Sequence, residues 1–345
     1  MKMNPFRVEC KLGVPIDIKS FLETRYQSMY VTWSYFKELK QIEKLQTLLL
    51  YENDILCEAF IYEIYFSECM LLNRVTDFEK NRLDFFTRWI FDHHSRVRKV
   101  TFRGLMSPYH TRNALCYSAS SDLYLKLPAT PEEYDILLGK KSRTRFRGYY
   151  SKLKKDFQEI EFRENVKIDE LDKDIFEKFV LLKERRFKEK KQVNSFDISA
   201  SQRHQRFAQE YGRITAISIS GKFVGGLLCY KVNDKYFAVL VAFDVDYAKY
   251  SIGRTVIYLA IKKAIDEKAA EFHFLWGGSD YVTHYGGDTH LLYTTHNFRS
   301  NNLFYYICSC RIKIKTLAQR LKHISWVRPL APYYHRLTYI FQNRF

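Results

Sequence analysis

Residues 250–265, "YSIGRTVIYLAIKKAI", hold the residue types whose spacing points most directly to ligand chemistry. An apolar strand-like run, "YFAVLVAFDV", leads through Ser251-Ile252-Gly253-Arg254-Thr255 into a helix on which Val256, Leu259, Ala260, Lys263 and Ala264 step round the turns. The N–H groups of a helix's first turn have no intrahelical partner, and a glycine among them lets a phosphate approach the backbone. Two readings stay open on spacing alone: a packing glycine, or an anion seat with Arg254 adding charge. The pattern is not Gly-x-Gly-x-x-Gly, and no Walker A loop occurs.

Other chemistries lack their motifs. There is no Gly-x-Ser-x-Gly elbow and no His-Glu-x-x-His, and His284, His290 and His296 are spaced by six, which puts them on no single helical face. The seven cysteines are scattered without a Cys-x-x-Cys pair. They read as reduced thiols of a cytoplasmic protein, and no metal site is expected.

The elements that would carry the seat occur in an order that repeats. "LQTLLLYENDILCEAFIYEIYF" reads as strand, turn at Glu52-Asn53-Asp54, strand, and is followed by a helix over about 78–95 and the strand "VRKVTFRG". "RITAISISGKFVGGLLCYKV" repeats the hairpin with its turn at Ser220-Gly221-Lys222, followed by "YFAVLVAF", the 250–265 segment and "EFHFLWG". Helical segments open each half, over 18–44 and over 132–157 with 171–190. The connector "LPATPEEY" places Thr130 as a cap with Pro131 at the first helical position. The reading is two related α/β units, residues 1–128 and 129–307, with mixed sheets flanked by helices and a C-terminal segment 308–345. The halves differ at the helix entry. The first carries Asp77 and Glu79, which neutralise a helix N-terminus and repel phosphate; the second has no acid there until Asp266.

A formal charge of +17 is unevenly placed. No Asp or Glu occurs from Thr289 to Phe345, and the block "KKSRTRFRGYYSKLKK" over 140–155 is also free of acids. Such fields attract anions, although either block alone is also what a solubilising face looks like. The tail interleaves aromatics with Lys and Arg, as an interfacial segment on anionic lipid does and as a nucleic-acid binder does. Peripheral contact with an anionic membrane is the favoured partner, ahead of nucleic acid. No run of about 18 uncharged apolar residues suggests a membrane span.

The segments "LPATPEEYDILLGKKSRTRFRGYYSKLKKDF", "VLLKERRF", "VAFDVDYAKYSIGRTVIYLAIKKAI" and "FHFLWGGSDYVTHYGGDTHLLYTTHNFRS" resemble the GNAT superfamily of acyl-CoA N-acyltransferases. The resemblance is nearest to the CelD-like branch found in bacterial exopolysaccharide and capsule biosynthesis. It covers roughly residues 127–300, and the doubling is similar to that of Fem-type aminoacyltransferases. It implies tandem GNAT-like domains and direct attack of an amine on an acyl-CoA, acetyl-CoA first among these, with an amino sugar or related envelope precursor as acceptor at the inner face of the cytoplasmic membrane. Ser251, Ile252, Gly253, Arg254 and Thr255 would then hold the pyrophosphate, and backbone N–H groups around Val241–Asp244 the developing oxyanion. The candidate bases are Asp244, Asp246, Asp280 and His284. Tyr281 or Tyr285 would protonate the thiolate, with Arg185 and Arg186 steering the acceptor. Turn chemistry, a solvated histidine, core aromatics and an ion pair with Glu184 or Glu189 are the plainer roles for these residues. Where the branch carries Tyr-Lys and a following base, this sequence has Tyr281, Val282 and His284. A catalytically silent binding protein and an aminoacyl-tRNA-dependent transferase are the alternatives.

Overall fold

The computed structural model describes residues 6–168, 174–189, 198–276, 282–300 and 305–310. The first unit runs β1 (Phe6–Leu12), α1 (Lys19–Tyr26), α2 (Trp33–Leu39), β2 (Gln46–Glu52), β3 (Ile55–Tyr65), β4 (Glu68–Leu71), α3 (Lys80–His93), β5 (Lys99–Leu105) and β6 (Ala114–Lys126). Two helices, α4 (Pro131–Leu137) and α5 (Gly139–Asp156), lead into the second unit. It repeats the order as β7 (Ile160–Lys167), α6 (Asp174–Glu189), α7 (Ile198–Tyr211), β8 (Gly212–Ile219), β9 (Lys222–Val232), β10 (Lys235–Phe243), α8 (Ile252–Asp266), β11 (Glu271–Trp276) and β12 (Asp288–Phe298).

Local sequence explains the joints. Both hairpins turn through two left-handed residues, Asn53 (φ 52°) with Asp54 (φ 61°) and Ser220 (φ 48°) with Gly221 (φ 74°). That backbone matches the twist of the flanking strands, and Asn, Asp and Gly tolerate it best. Thr130 caps α4 by accepting from the Glu133 N–H, with Pro131 at the first position, as expected from the sequence. The apolar stripe of α8 is continuous because the helix is covered on nearly every side: Ile252, Val256, Ile257, Leu259, Ala260, Ile261, Ala264 and Ile265 are all buried. Each large apolar side chain so covered contributes about 1.5–3 kcal/mol. Asp135 of α4 ties this layer together, accepting from Tyr258 of α8 (2.6 Å) and from Arg147 of α5 (3.0 Å).

The described strands form one twelve-stranded sheet in the order β1-β2-β3-β4-β5-β12-β6-β11-β10-β9-β8-β7. Exchanging each strand for its counterpart six places on reproduces the same order in reverse. The units are thus related by a pseudo-twofold between β12 and β6, and each lends its last strand to the other. β6 pairs with β11 of the second unit, and β12 pairs with β5 of the first. The doubled α/β plan expected from the sequence is present, with a junction the sequence reading did not contain. One core spans both units, with Phe36 of α2 and Phe207 of α7 in the same cluster. A second core lies under α4, α5 and α8.

Candidate active site

Each unit has one parallel strand pair joined by a crossover helix: β4 and β5 across α3, and β10 and β11 across α8. In the second unit the pair holds for three residues, Lys235–Phe237 against Glu271–His273, and then parts. The cause lies in the strands. Val239 is an extra residue in β10 against β9, and Phe274 is an extra residue in β11 against β6, followed by Leu275 at φ 65°. A bulge bends its strand and ends regular pairing, so two bulges just past the last paired residues open a wedge. In the first unit the equivalent gap is closed again. Val75 N–H donates to the Gly104 carbonyl (2.8 Å), Met106 N–H donates to the Thr76 carbonyl (3.0 Å), and Thr76 bridges to Leu105.

The open side of β10 supplies donors. Asp244 N–H donates to the Val224 carbonyl on β9 (2.9 Å). An antiparallel ladder alternates, so the N–H groups of Val241 and Phe243 face the wedge while that of Asp244 does not. The start of α8 stands beside them. Ser251 adopts the left-handed conformation (φ 54°, ψ 41°), caps nothing with its side chain, and accepts from Arg254 N–H (2.9 Å) and Thr255 N–H (3.1 Å) through its carbonyl. Among the described residues the N–H groups of Ile252 and Gly253 take no partner, and no acid lies in the first turn. The Thr255 hydroxyl turns back onto the Ser251 carbonyl (3.3 Å).

A Cβ on Gly253 would stand 3.0 Å from the Phe243 ring and 3.3 Å from Val241 Cγ1. The missing side chain is therefore required by helix-on-strand packing, while the N–H of the same residue stays open to a ligand.

Around this start the structure gathers charge. Arg254 is exposed and donates to the Tyr149 hydroxyl (2.9 Å) on α5. Arg145, Phe146, Arg254, His284 and Tyr285 line one small pocket. Arg145 and Tyr149 were not singled out from the sequence; the acid-free block over 140–155 was the signal that could have found them. Tyr285 is buried, stacks on Phe146 (5.0 Å between centroids), donates to the Arg254 carbonyl (3.3 Å), and takes the Tyr134 hydroxyl on its own carbonyl (3.2 Å). It fixes the first turn of α8 from below. His284, one residue before, is exposed on the pocket rim.

Asp244 sits apart from that pocket, 1 % exposed at the end of β10. Burial alone would raise its pKa. The Lys222 ammonium (2.8 Å), the Asp246 N–H (3.2 Å) and the Arg185 guanidinium (3.3 Å) outweigh it and hold the carboxylate below its ordinary range. A carboxylate so committed is a turn clamp and a poor proton acceptor. Arg185 also reaches Asp246 (3.3 Å), so it spans from α6 to the loop after β10. Asp244→Asn should lower unfolding stability by about 1–3 kcal/mol at neutral pH. The difference should shrink as pH falls through the depressed pKa of the native carboxylate, because stability from a lowered pKa is lost on acidification. Urea unfolding at two pH values checks both statements.

Val282 is buried and packs into the second core, its Cγ1 only 2.5 Å from where a Cβ on Gly287 would lie. Position 282, where the resemblance led to the expectation of a lysine, is a core position. Asp280, Tyr281 and the side chain of Arg186 lie outside the described residues, as does 311–345 of the basic segment.

Residues 140–282 match the family model described as an acetyltransferase (GNAT) domain. That span runs from α5 to Val282 and contains the wedge and the start of α8. Among solved structures, FemX superposes with a TM-score of 0.61 at 7% identity, over 83% of this chain and 96% of that one. The fold is a tandem GNAT fold. L-PGS from Bacillus licheniformis gives 0.55 at 11% identity, over 90% and 98% of the two chains. The C-terminal domain of a putative lysylphosphatidylglycerol synthetase from Agrobacterium fabrum gives 0.51 at 10% identity, over 74% and 85%. At these identities the likeness is one of fold. No curated protein matches the sequence.

Proposed function

We propose that the chain is an acyl-CoA-dependent N-acyltransferase, using acetyl-CoA first among acyl donors, and that an amino sugar or related cell-envelope precursor is its acceptor. The observation that carries this reading is the asymmetry between the two tandem GNAT units: among the described residues the second has an open wedge beside the start of its crossover helix, and the first has its wedge zipped shut. In this reading the pyrophosphate lies on the N–H groups of Ile252 and Gly253 with Arg254 alongside. The thioester carbonyl lies against the N–H groups of Val241 and Phe243, which hold negative charge as it develops on oxygen. The amine nitrogen bonds to the carbonyl carbon and the carbon–sulfur bond breaks. The amine's proton passes to His284 or Asp280, and the departing thiolate takes one from Tyr281. The envelope acceptor places this work in the cytoplasm at the inner face of the membrane.

Calorimetry of the full chain with acetyl-CoA tests the donor. Saturable binding in the range of about 1 μM–1 mM usual for enzyme substrates is expected. No heat at the top of that range would remove the reading.

A second reading, an aminoacyl-tRNA-dependent transferase of the Fem type, is favoured by the superposition on FemX and the charge of +17. Silence toward acetyl-CoA together with tRNA binding that weakens steeply with salt would select it.

A further inference from the structure

The edge of the sheet at which β10 and β11 end is also the edge at which β5 begins and β12 ends, since β6 runs antiparallel to β11 and to β12, and β12 antiparallel to β5. At this edge the hairpin joining β3 to β4 projects Tyr65 and Phe66, which are 64% and 83% exposed, their rings packed edge to face at 4.4 Å. Phe66 has φ 53°, a conformation that a two-residue turn ordinarily gives to Asn, Asp or Gly. A phenylalanine there carries a conformational cost and leaves a whole ring in water, and neither is repaid by packing within the fold.

Cations surround the tip. The Ser67 carbonyl accepts from Arg98 N–H (2.8 Å) and Lys99 N–H (3.2 Å), and Arg299 N–H donates to the Arg98 carbonyl (3.0 Å). Phe298 N–H donates to the Asn113 carbonyl (3.0 Å), which brings Arg112 to the same edge. Arg96, Arg98, Arg112 and Arg299 are exposed, and none is ion-paired among the described residues. The guanidinium of Arg299 is held in place over the Phe91 ring by the carbonyls of Val97 and His94. Glu68, the acid beside the tip, is neutralised by Lys99 (2.8 Å), and Asp92 lies on the last turn of α3. Helical residues 305–310 follow, with Tyr305 against Phe298 and with Tyr306 and Ile307 exposed.

We infer that this edge docks on the surface of a bilayer containing anionic phospholipid, with Tyr65 and Phe66 entering the headgroup boundary and the four arginines on the phosphates. Apolar rings projected from a short turn and flanked by unpaired cations combine the two terms of interfacial binding, buried apolar area and attraction to anionic headgroups. Nucleic acid is the weaker occupant, because Phe66 and Ile307 offer exposed apolar bulk at the tip. Docking would turn the open wedge of the second unit toward the membrane. The proposal does not depend on the acyl-CoA reading, and its test needs no turnover.

The test is cosedimentation of the full chain with vesicles of phosphatidylcholine alone and of phosphatidylcholine mixed with phosphatidylglycerol. Binding is expected only to the mixed vesicles and should weaken as salt rises. Phe66→Asp should weaken it at least about tenfold. Joint replacement Arg96→Ser, Arg98→Ser and Arg112→Ser should weaken it about fivefold per arginine. Thermal unfolding should be little changed in both variants, since the three arginines are exposed and the Phe66 ring packs only on the equally exposed Tyr65. The proposal is overturned if the wild type does not pellet with mixed vesicles, or if both variants bind as the wild type does. It is equally overturned if Lys313→Ser with Lys315→Ser abolishes binding while the edge variants do not, or if the edge variants lose RNA binding and leave vesicle binding intact.

Discussion

Arg254→Glu should abolish acetyl-CoA binding by the second unit, with a loss of about 100-fold or more, and leave the fold intact. A charge-assisted hydrogen bond is worth about 1.5–3 kcal/mol, and reversing the charge beside a pyrophosphate adds repulsion where attraction stood. The side chain is exposed and donates to the Tyr149 hydroxyl, so stability should change by no more than about 0.5 kcal/mol. Arg254→Ala should fall between, at about tenfold. Gly253→Asp is the weaker experiment despite sitting in the same turn, because its Cβ would press on the Phe243 ring at 3.0 Å and lost affinity could not be told from lost packing. Calorimetry with acetyl-CoA, read beside urea unfolding of each variant, decides it. Unchanged affinity in Arg254→Glu would move the donor away from α8.

The parts of the fold legible in the sequence were those fixed by contacts near in the chain. Asn53-Asp54 and Ser220-Gly221 announce their hairpins because the left-handed turn selects residue types at those positions. Thr130-Pro131 announces α4 for the same local reason. β6 and β12 were not foreseen. "ALCYSASSDLYLK" places serines in mid-strand, and what makes it a strand is a pair of neighbours, β11 and β12, that belong to the other unit. A pattern read within one half cannot show a strand whose partners lie across the junction. The same limit applies to α7, whose apolar face covers β9 and meets α2 of the first unit.

At the site the residue types were legible and the assignments were less so. Gly253 was read as open to two uses, and its packing use is the one the structure displays, against Phe243 and Val241. Asp244 drew notice as a carboxylate at a strand end, but its fate was set by Lys222, twenty-two residues earlier, and by Arg185 on α6; no spacing rule connects them. Val282 is an apolar residue whose burial in the second core no pattern in its own segment announces. The wedge itself depends on bulges at Val239 and Phe274, single extra residues that leave no mark in an apolar run.

The junction between units should also be the part of the molecule most sensitive to one substitution. His273 of β11 is buried between two carboxylates, its Nδ1 2.6 Å from Asp122 of β6 and its Nε2 3.0 Å from Glu271. A carboxylate facing each ring nitrogen favours the ring protonated on both, the imidazolium. Burial opposes that charge, but the bonds to Asp122 and Glu271 outweigh it and raise the His273 pKa. The hydrogen bond from His273, with help from Lys235, holds Glu271 down to about 2 against the cost of its own burial. His273→Leu would leave Asp122, 3% exposed, without its counter-charge and should destabilise the chain by about 3–5 kcal/mol. His273→Gln keeps a donor and should lose less.

The pH signs are opposite for the two partners. A raised histidine pKa contributes stability that is full below the unfolded value of about 6.5 and is lost as pH climbs through the folded pKa. A lowered carboxylate pKa contributes stability that is present above the unfolded value of about 4.3 and is lost as pH falls toward about 2. Wild-type stability should therefore peak between those limits and decline on the alkaline side, and His273→Gln should flatten the alkaline decline. Urea midpoints measured across that range test it. An alkaline slope identical in the two proteins would mean that the imidazolium does not hold β6 against β11, and the exchange of strands would then rest on backbone pairing alone.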